Sequence, residues 1–197
     1  MKKIYLASAS PRRLQLLRQI GIEPEVVSVN YRESMDSGEK PEQIVINNAM
    51  GKAQTASQKI STQNSLIIAA DTIVAYQNRI LGKPATRQEA SQMLTMLSGK
   101  EHYVFTGVCV LDSSSDKFLS SVAKTSVEMR EISQQEIEAY ASTDEPYDKA
   151  GGYGIQQLAG LFVKSINGSY SNVVGLPLGI LGIMLKRFGY EVSAEWQ

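Results

Sequence analysis

Two residue types that often carry catalysis or bind metals are nearly absent from this 197-residue sequence, which contains one cysteine, Cys109, and one histidine, His102. A single cysteine excludes an intrachain disulfide bond. A single histidine excludes a histidine-rich metal site, so carboxylates would have to hold any metal ion, and carboxylates favour hard cations such as Mg²⁺ or Mn²⁺. A Ser-His-Asp or Cys-His catalytic site would depend entirely on His102. We expect Cys109 to be a buried strand thiol and His102 to lie at the surface or at a strand edge.

An excess of charge of either sign is also absent, because Lys and Arg together number 20 and so do Asp and Glu. Without a global positive field, the composition argues against nucleic acid and against a membrane surface as partners. Long apolar runs are missing too: residues 4–7 are too short a run for a signal peptide, and GLPLGILGIML is too short to span a membrane. We therefore expect a cytoplasmic protein in which any anion-binding site is local.

The order of the predicted elements indicates the fold class. Strands and helices alternate at first, and two long strands at 102–112 and 117–131 then read as an antiparallel hairpin. This order favours an α/β fold with a mixed sheet flanked by helices. The length and the 43% hydrophobic content suit one domain over residues 1–197, which we expect to form two lobes with boundaries near residues 85 and 130.

Local signals place several individual elements. Ser10 followed by Pro11 predicts a helix N-terminus. Further predictions are capping boxes at Thr86–Glu89 and Ser133–Glu136, a helix from Pro41 to about Lys59, and strands at 24–30, 66–76 and 190–193.

The stretch SASPRR, at residues 8–13, combines a strand end, a turn and a helix N-terminus. The first amides of a helix lack internal partners and carry the positive end of its dipole, which favours an anion. The hydroxyl of Ser8 can donate to a phosphate, and the guanidinium groups of Arg12 and Arg13 can bind one in a fork. The alternative is a capped helix with two solvated arginines. The stretch is not a P-loop, because the sequence contains no G-x-x-x-x-G-K-[ST].

The stretch AADTIV places Asp71 and Thr72 inside an otherwise apolar strand. A carboxylate buried there costs several kcal/mol, to order of magnitude, unless it is paired or binds a metal. Asp71 is therefore a candidate metal ligand or general base, and the alternative is an aspartate at a turn or at a strand end in water.

Four further residues are candidates with a simple surface alternative. Lys52 follows Gly51, and Lys83 lies in LGKP; each is either a solvated lysine or one of several cations around a polyphosphate. Glu33 is either an exposed loop acid or a second metal ligand. Gln156 follows three glycines in DEPYDKAGGYGIQQLAG, and its amide can donate to and accept from the edge of a base.

Taken in order, the stretches LASASPRR, ADTIV, LGKP, LSGKEH, DEPYDKAGGYGIQ and INGSYSNVVGLP resemble the Maf family of nucleoside triphosphate pyrophosphatases. The resemblance runs from residue 6 to residue 177. It implies an elongated mixed sheet flanked by helices, two lobes with a central cleft as in the ITPase-like fold, and a homodimer. It also implies cleavage of a nucleoside triphosphate between its α- and β-phosphates, with a divalent metal cation, Mg²⁺ or Mn²⁺.

The matching motifs carry the family's residue roles to this sequence. The resemblance implies that Asp71 is the proton acceptor and a metal ligand, and that Glu33 helps to hold the metal ion or the water. It also implies that Glu33 and Lys83 belong to the catalytic set. The residues implied to bind the triphosphate are Ser8, Arg12, Arg13, Lys52 and Lys83. The residues implied to select the nucleotide are Arg12, Thr72 and Gln156.

Within the family, Lys83 together with Gln156 resembles the branch that prefers dTTP and UTP. The alternatives are the similar branch that acts on 7-methyl-GTP, and a nucleotide-binding regulator of cell division and septum formation without turnover. Two positions depart from the family pattern: Arg32 stands where an acid often precedes the Glu33 position, and Gln157 stands where glycine commonly follows GIQ. The departure at Arg32 concerns metal binding by the loop that carries Glu33, and the departure at Gln157 concerns contacts with the base.

Overall fold

The computed structural model describes residues 2–34, 38–62, 64–77 and 79–196 of the chain. Among these residues, one sheet contains seven strands: β1 Lys3–Leu6, β2 Glu25–Val26, β3 Ser65–Tyr76, β4 Arg79–Leu81, β5 Glu101–Asp112, β6 Phe118–Met129 and β7 Val163–Asn167. The α-helices described are α1 Pro11–Gln19, α2 Pro41–Ser57, α3 Arg87–Leu97, α4 Gln134–Ala141, α5 Tyr170–Val174 and α6 Leu178–Arg187. Short 3₁₀ helices occur at Glu145–Asp148, Ala150–Gly152, Leu158–Phe162 and Val192–Trp196.

The sheet is mixed, as the sequence predicts. Its strand order is β2-β1-β3-β5-β6-β7, and β4 pairs with β3 outside this path. β1 pairs in parallel with β2 and with β3, whereas the β3–β4 and β6–β7 pairs are antiparallel. Because parallel neighbours need a long crossover, β1 and β3 are separated along the chain by α1, β2 and α2. The predicted mixed α/β fold class is confirmed.

Two compact units divide the chain, and the division differs from the expected boundaries. The first unit contains Met1–Asp71, Thr106–Ala123 and Gly175–Gln197, and the second contains Thr72–Phe105 and Lys124–Val174. Residues 85 and 130 both lie inside the second unit, so both expected boundaries are wrong. The chain changes units within the long strands β3, β5 and β6, where no loop marks a boundary, and once more directly after α5.

In the first unit, α2 packs closely on the sheet because small residues line the contact. The buried alanines of α2 pack against Ala7 and against residues of β1, β3 and β5. This group consists of Ala49, Ala53, Ala56, Tyr5, Ala7, Ile67, Ala69, Cys109 and Leu111. A Cβ at Gly107 on β5 would overlap the backbone of α2 at Val45, so only glycine fits there. The predicted burial of Cys109 is confirmed, and burial raises the pKa of its thiol to about 12.

In the second unit, α3 and α4 begin at the predicted N-caps. The Ser133–Glu136 pair forms a complete capping box. The Thr86 side chain accepts a hydrogen bond from the Glu89 N–H, but the Glu89 carboxylate accepts from Ala85, so this box is only half formed. Both helices contribute to a core that consists mainly of Leu94, Leu97, Val104, Val127, Met129, Ile137, Tyr140 and Phe162.

Two expectations about local structure fail. The strand predicted at 24–30 is reduced to Glu25–Val26. The strand predicted at 190–193 is wrong, because Val192–Trp196 forms a 3₁₀ helix whose Trp196 side chain donates to the carbonyl of Ile20. The helix N-terminus predicted at Ser10 and Pro11 is confirmed, because Ser10 is the N-cap of α1 and Pro11 is its first residue, although the Ser10 side chain makes no capping hydrogen bond. No helix in the described part of the chain is long and apolar enough to cross a membrane.

The expected surface position of His102 is also wrong, since its side chain is only 1% exposed. Its Nε2 lies 2.6 Å from Tyr153 Oη, and the two rings meet edge to face. Among the described residues, Nδ1 has no hydrogen-bond partner. Burial lowers the pKa of His102 to about 4, because a charged imidazolium is poorly solvated there. His102 is therefore a neutral core residue that supports the segment around Tyr153.

The free energy of unfolding should depend on pH through His102. Its pKa of about 4 in the folded protein lies below the ordinary value of 6.5, so the unfolded chain binds more protons between these values. The stabilisation contributed by neutral His102 is therefore fully present above the ordinary pKa of 6.5 and is lost as the pH falls towards 4. At ~1.4 kcal/mol per pKa unit, this loss is about 3 kcal/mol.

Urea unfolding of the wild type and of His102→Gln, near neutral pH and near pH 4, measures this contribution. The glutamine amide does not titrate and still offers Tyr153 a polar partner. We expect the variant to lose less stability than the wild type on acidification. Equal losses in the two proteins would contradict the assignment of His102 as a buried neutral group.

Candidate active site

Asp71 is buried in the middle of β3, where its side chain requires partners. The residue is only 4% exposed. Both carboxylate oxygens are paired: Oδ1 accepts from Lys52 Nζ at 2.6 Å, and Oδ2 accepts from Asn48 Nδ2 at 2.8 Å. These bonds offset the cost of burying the charge. The alternative of an aspartate at a strand end in water is excluded.

Lys52 bridges the two carboxylates that the sequence singles out. Its ammonium lies 2.6 Å from Asp71 Oδ1 and 2.6 Å from Glu33 Oε1. A third contact reaches the carbonyl of Ala70 at 3.4 Å. An ammonium group has three hydrogens, so these acceptors match its full capacity. Lys52 is 6% exposed, which excludes the solvated surface lysine.

Asn48 belongs to the same group, and sequence reasoning missed it. It lies one helical turn before Lys52 on α2 and is completely buried. Its Nδ2 donates to Asp71 and to the carbonyl of Ser34 at 3.0 Å, while its Oδ1 accepts from the N–H of Ser34 at 2.9 Å. The opposite amide orientation would turn Oδ1 towards the carboxylate, so the network fixes the orientation. The available signal was that Asn48 shares the helical face of Val45, Ala49 and Lys52.

The loop before α2 is held on that helix at three points. The ring of Tyr31 packs on the backbone at Gly51, where a Cβ would overlap it. Glu33 pairs with Lys52, and the Ser34 backbone pairs with Asn48. The side chain of Glu33 is 42% exposed. Its carboxylate therefore reaches solvent while it pairs with the same lysine as Asp71.

The SASPRR stretch contributes a fixed arginine to the same unit. Arg13 donates from Nη1 to Ser8 Oγ at 2.9 Å and from Nε to the carbonyl of Gly175 at 2.8 Å. Burial lowers the pKa of the Arg13 guanidinium, the negative charges of Asp71 and Glu33 oppose this shift, and the positive charge of Arg12 adds to it. Arg13 remains charged, because its ordinary pKa is far above neutral. Arg13 thus links Ser8 and the charge of Arg12 to the carboxylates of Asp71 and Glu33. Lys52 bridges these two carboxylates, and Asn48 binds that of Asp71.

The three other predicted site residues belong to the second unit. Thr72 follows Asp71 on β3, while Lys83 and Gln156 are exposed on loops. The two loops lie together, since the N–H of Gly151 donates to the carbonyl of Gly82 at 2.9 Å. Gly151 and Gly152 have φ values of 70° and 72°, which strain any other residue. Within this unit, the loop that carries Lys83 thus lies next to the glycine-rich segment that precedes Gln156.

The donor set near Lys52 suits a hard divalent cation only in part. Among the described residues, no three His, Cys, Asp or Glu side chains are grouped as a metal site. Asp71 and Glu33 supply two carboxylates, and Mg²⁺ in nucleotide enzymes is commonly held by one or two carboxylates with phosphates and water. Two carboxylates fit that pattern, provided that substrate oxygens complete the coordination.

Asn48→Leu should weaken the link between Asp71 and the Glu33 loop. The substitution removes three hydrogen bonds at one buried amide, and we expect it to lower the free energy of unfolding by about 1–3 kcal/mol. The Ser34 N–H loses its acceptor, so its amide exchange with solvent should become faster. Unfolding and amide exchange by NMR measure the two effects.

Asn48→Asp is the matched variant, because it keeps the shape and the acceptor but replaces the donor to Asp71 with a second carboxylate. Two carboxylates in contact favour sharing a proton, so the loss relative to the wild type should grow as the pH rises from about 5 to about 8. Unchanged Ser34 exchange and wild-type stability in both variants would contradict the role of Asn48.

Comparison with solved structures supports the fold. The structure of the Staphylococcus aureus Ham1 protein superposes with a TM-score of 0.51, covering 95% of this chain and 100% of that chain. The sequence identity is 12%, so this likeness concerns the fold alone.

Comparison with sequences extends over nearly the whole chain. A protein of Caldicellulosiruptor bescii named dTTP/UTP pyrophosphatase is 46% identical over 194 residues, 98% of each chain. Proteins with the same name from Dictyoglomus turgidum and Clostridium botulinum (strain Kyoto / Type A2) are 46% and 45% identical, covering 97% and 98% of this chain and 98% and 100% of their own. The family model described as Maf-like protein matches residues 3–188. With this match and these identities, the chain belongs to the Maf family.

Proposed function

We propose that this protein hydrolyses dTTP and UTP to the nucleoside monophosphate and pyrophosphate, using Mg²⁺ or Mn²⁺. The observation that carries the proposal is the buried Asp71 carboxylate, held between Lys52 and Asn48 beside Glu33 and Arg13. The names of the relatives from Caldicellulosiruptor, Dictyoglomus and Clostridium supply the substrate class.

Cleavage of a phosphoanhydride needs mainly charge neutralisation and a positioned water. We assign neutralisation of the triphosphate charge to the N-terminus of α1 and to the side chains of Ser8, Arg12, Arg13 and Lys52. Lys83 is added to this set because it lies in LGKP, a motif that matches the family. The bond from Arg13 holds Ser8 Oγ as an acceptor, so the Ser8 O–H is oriented to donate to a phosphate oxygen. Arg13 is fixed at two points before any substrate binds, which reduces the ordering that binding requires.

We assign Asp71 as the group that accepts the proton of the attacking water. The water oxygen forms a bond to phosphorus as the P–O bond that joins the α- and β-phosphates breaks, the water proton passes to Asp71, and pyrophosphate leaves. Asn48 donates to Oδ2 of Asp71, and this bond turns Oδ1 towards the ammonium of Lys52, which also pairs with Glu33. A divalent cation bound by Asp71 and Glu33 would neutralise phosphate charge and make the water more acidic.

Selection of the base is assigned to Gln156, with Thr72 and Arg12. The exposed amide of Gln156 can donate and accept, which matches the adjacent carbonyl and N–H of a thymine or uracil edge. Tyr153, bonded to the buried His102, fixes the chain three residues before Gln156. Gln157 is exposed as well, so it offers a second amide where the family commonly has glycine.

The remaining expectations stay proposals. We infer a single-domain cytoplasmic enzyme that works as a homodimer, on the resemblance to the Maf family. The zero net charge supports a small-molecule substrate rather than nucleic acid.

A nucleotide panel tests the proposal. Purified protein with Mg²⁺ or Mn²⁺ is incubated with dTTP, UTP, CTP, dATP, GTP and 7-methyl-GTP, and the products are separated. We expect pyrophosphate and monophosphate from dTTP and UTP. Turnover of 7-methyl-GTP alone would overturn the assigned branch, and no turnover of any nucleotide would favour a binding protein without catalysis.

Asp71→Asn tests the catalytic assignment, because it keeps the shape and removes the proton acceptor. We expect kcat to fall by about 10²-fold or more. Asp112→Asn is the matched control, since Asp112 is another buried aspartate paired with a lysine, Lys2, at 2.8 Å. It lies outside the Asp71 cluster and should retain activity. Full activity of Asp71→Asn would contradict the assignment.

A further inference from the structure

Lys52 lies between Asp71 and Glu33, the two carboxylates to which the divalent metal ion is assigned. Its Nζ lies 2.6 Å from an oxygen of each carboxylate. We propose that the ammonium of Lys52 and a divalent metal ion compete for the same oxygens, so that a metal ion binds there only when Lys52 moves away. This inference rests on the proposed function, because that function supplies the need for a metal ion.

The partners of Asp71 differ in how readily they can leave. Asn48 is bonded to Asp71 and to both backbone polar groups of Ser34, so moving its amide would break three bonds. Lys52 is a point charge on a flexible four-carbon stem, and its ammonium can turn to new acceptors. Oδ1, the oxygen held by Lys52, is therefore the oxygen of Asp71 that can be given to a metal ion.

The charges of the cluster make this exchange depend on an anion. Asp71 and Glu33 carry two negative charges, and Lys52, Arg13 and Arg12 carry three positive charges. A divalent cation added to this group is opposed by its three positive side chains. A triphosphate brings several negative charges, with which Lys52 can pair after it leaves the carboxylates. Metal ion and nucleotide should consequently strengthen each other's binding, and couplings of this kind are typically about 5–150-fold.

Lys52 thus has two states in this account. In one it neutralises Asp71 and Glu33, which holds the Glu33 loop against α2. In the other it binds phosphate and leaves both carboxylates to the metal ion. The consequence is that metal binding is weak without nucleotide and that removal of the lysine strengthens it.

Mn²⁺ binding to the nucleotide-free protein tests this consequence, measured by electron paramagnetic resonance of the free ion. Lys52→Gln removes the competing charge and keeps a polar side chain, and we expect it to bind Mn²⁺ at least about tenfold more tightly than the wild type. Lys59→Gln is the control, because Lys59 is exposed near the end of α2 and donates to the carbonyl of Ser28. Its Mn²⁺ affinity should equal that of the wild type. Equal or weaker binding by Lys52→Gln would overturn the proposal.

A second measurement uses the wild type, so it does not depend on the folding of a variant. An amine-reactive reagent labels lysines, and mass spectrometry compares Lys52 with Lys59 with and without saturating Mn²⁺. Displacement from Asp71 and Glu33 should raise the labelling rate of Lys52 several-fold and leave that of Lys59 unchanged. An unchanged rate at Lys52 would overturn direct competition.

Neither measurement contains a nucleotide, so their outcome is independent of the substrate panel. Failure of the proposed dTTP and UTP hydrolysis would leave the Mn²⁺ result readable. Conversely, the protein could hydrolyse both nucleotides and show no change in Mn²⁺ affinity or in Lys52 labelling. This result would contradict only the proposed competition between Lys52 and the metal ion.

Discussion

A carboxylate in the middle of an apolar strand is the constraint on which the rest of the site depends. Asp71 is tolerated inside β3 only because Lys52 and Asn48 meet its two oxygens. Breaking a buried ion pair on one side typically costs about 3–5 kcal/mol, because the remaining charge is left without a partner. The helix that carries both partners must therefore lie close to the sheet, which its alanine face and Gly107 allow.

The same partners extend the site beyond Asp71. Asn48 bonds the backbone of Ser34 and Lys52 pairs with Glu33, so the loop before α2 is positioned by residues that already serve the buried aspartate. Arg13 adds a second fixed cation whose pKa responds to both carboxylates. This arrangement acts through charge and position, which suits phosphoanhydride cleavage. The thiol of Cys109 is buried and protonated, and it takes no part.

Much of this could be predicted from the sequence, and the failures have physical causes. Apolar patterning located α2, β3 and the long β5–β6 pair, because α2 buries one face and because β3 and β5 are buried along nearly their whole length. Asp71 stood out because a charge interrupts an apolar strand, whereas Asn48 did not, since a polar residue among alanines of a helix is common at surfaces. His102 was misplaced because its partner Tyr153 lies far along the chain, and long-range pairing leaves no local pattern. The last 3₁₀ helix depends in the same way on contacts of Trp196 with residues near the N-terminus.

The central claim is that the Lys52–Asp71 pair organises the site, and a double-mutant cycle tests it most directly. The free energy of unfolding is measured for Lys52→Met in the wild-type background and in the Asp71→Asn background. If the pair organises the site, Lys52→Met costs about 3–5 kcal/mol in the wild type, and about 2 kcal/mol or more of that loss disappears when Asp71 is already neutral. Equal losses in the two backgrounds would show that the two residues are not coupled and would contradict the account.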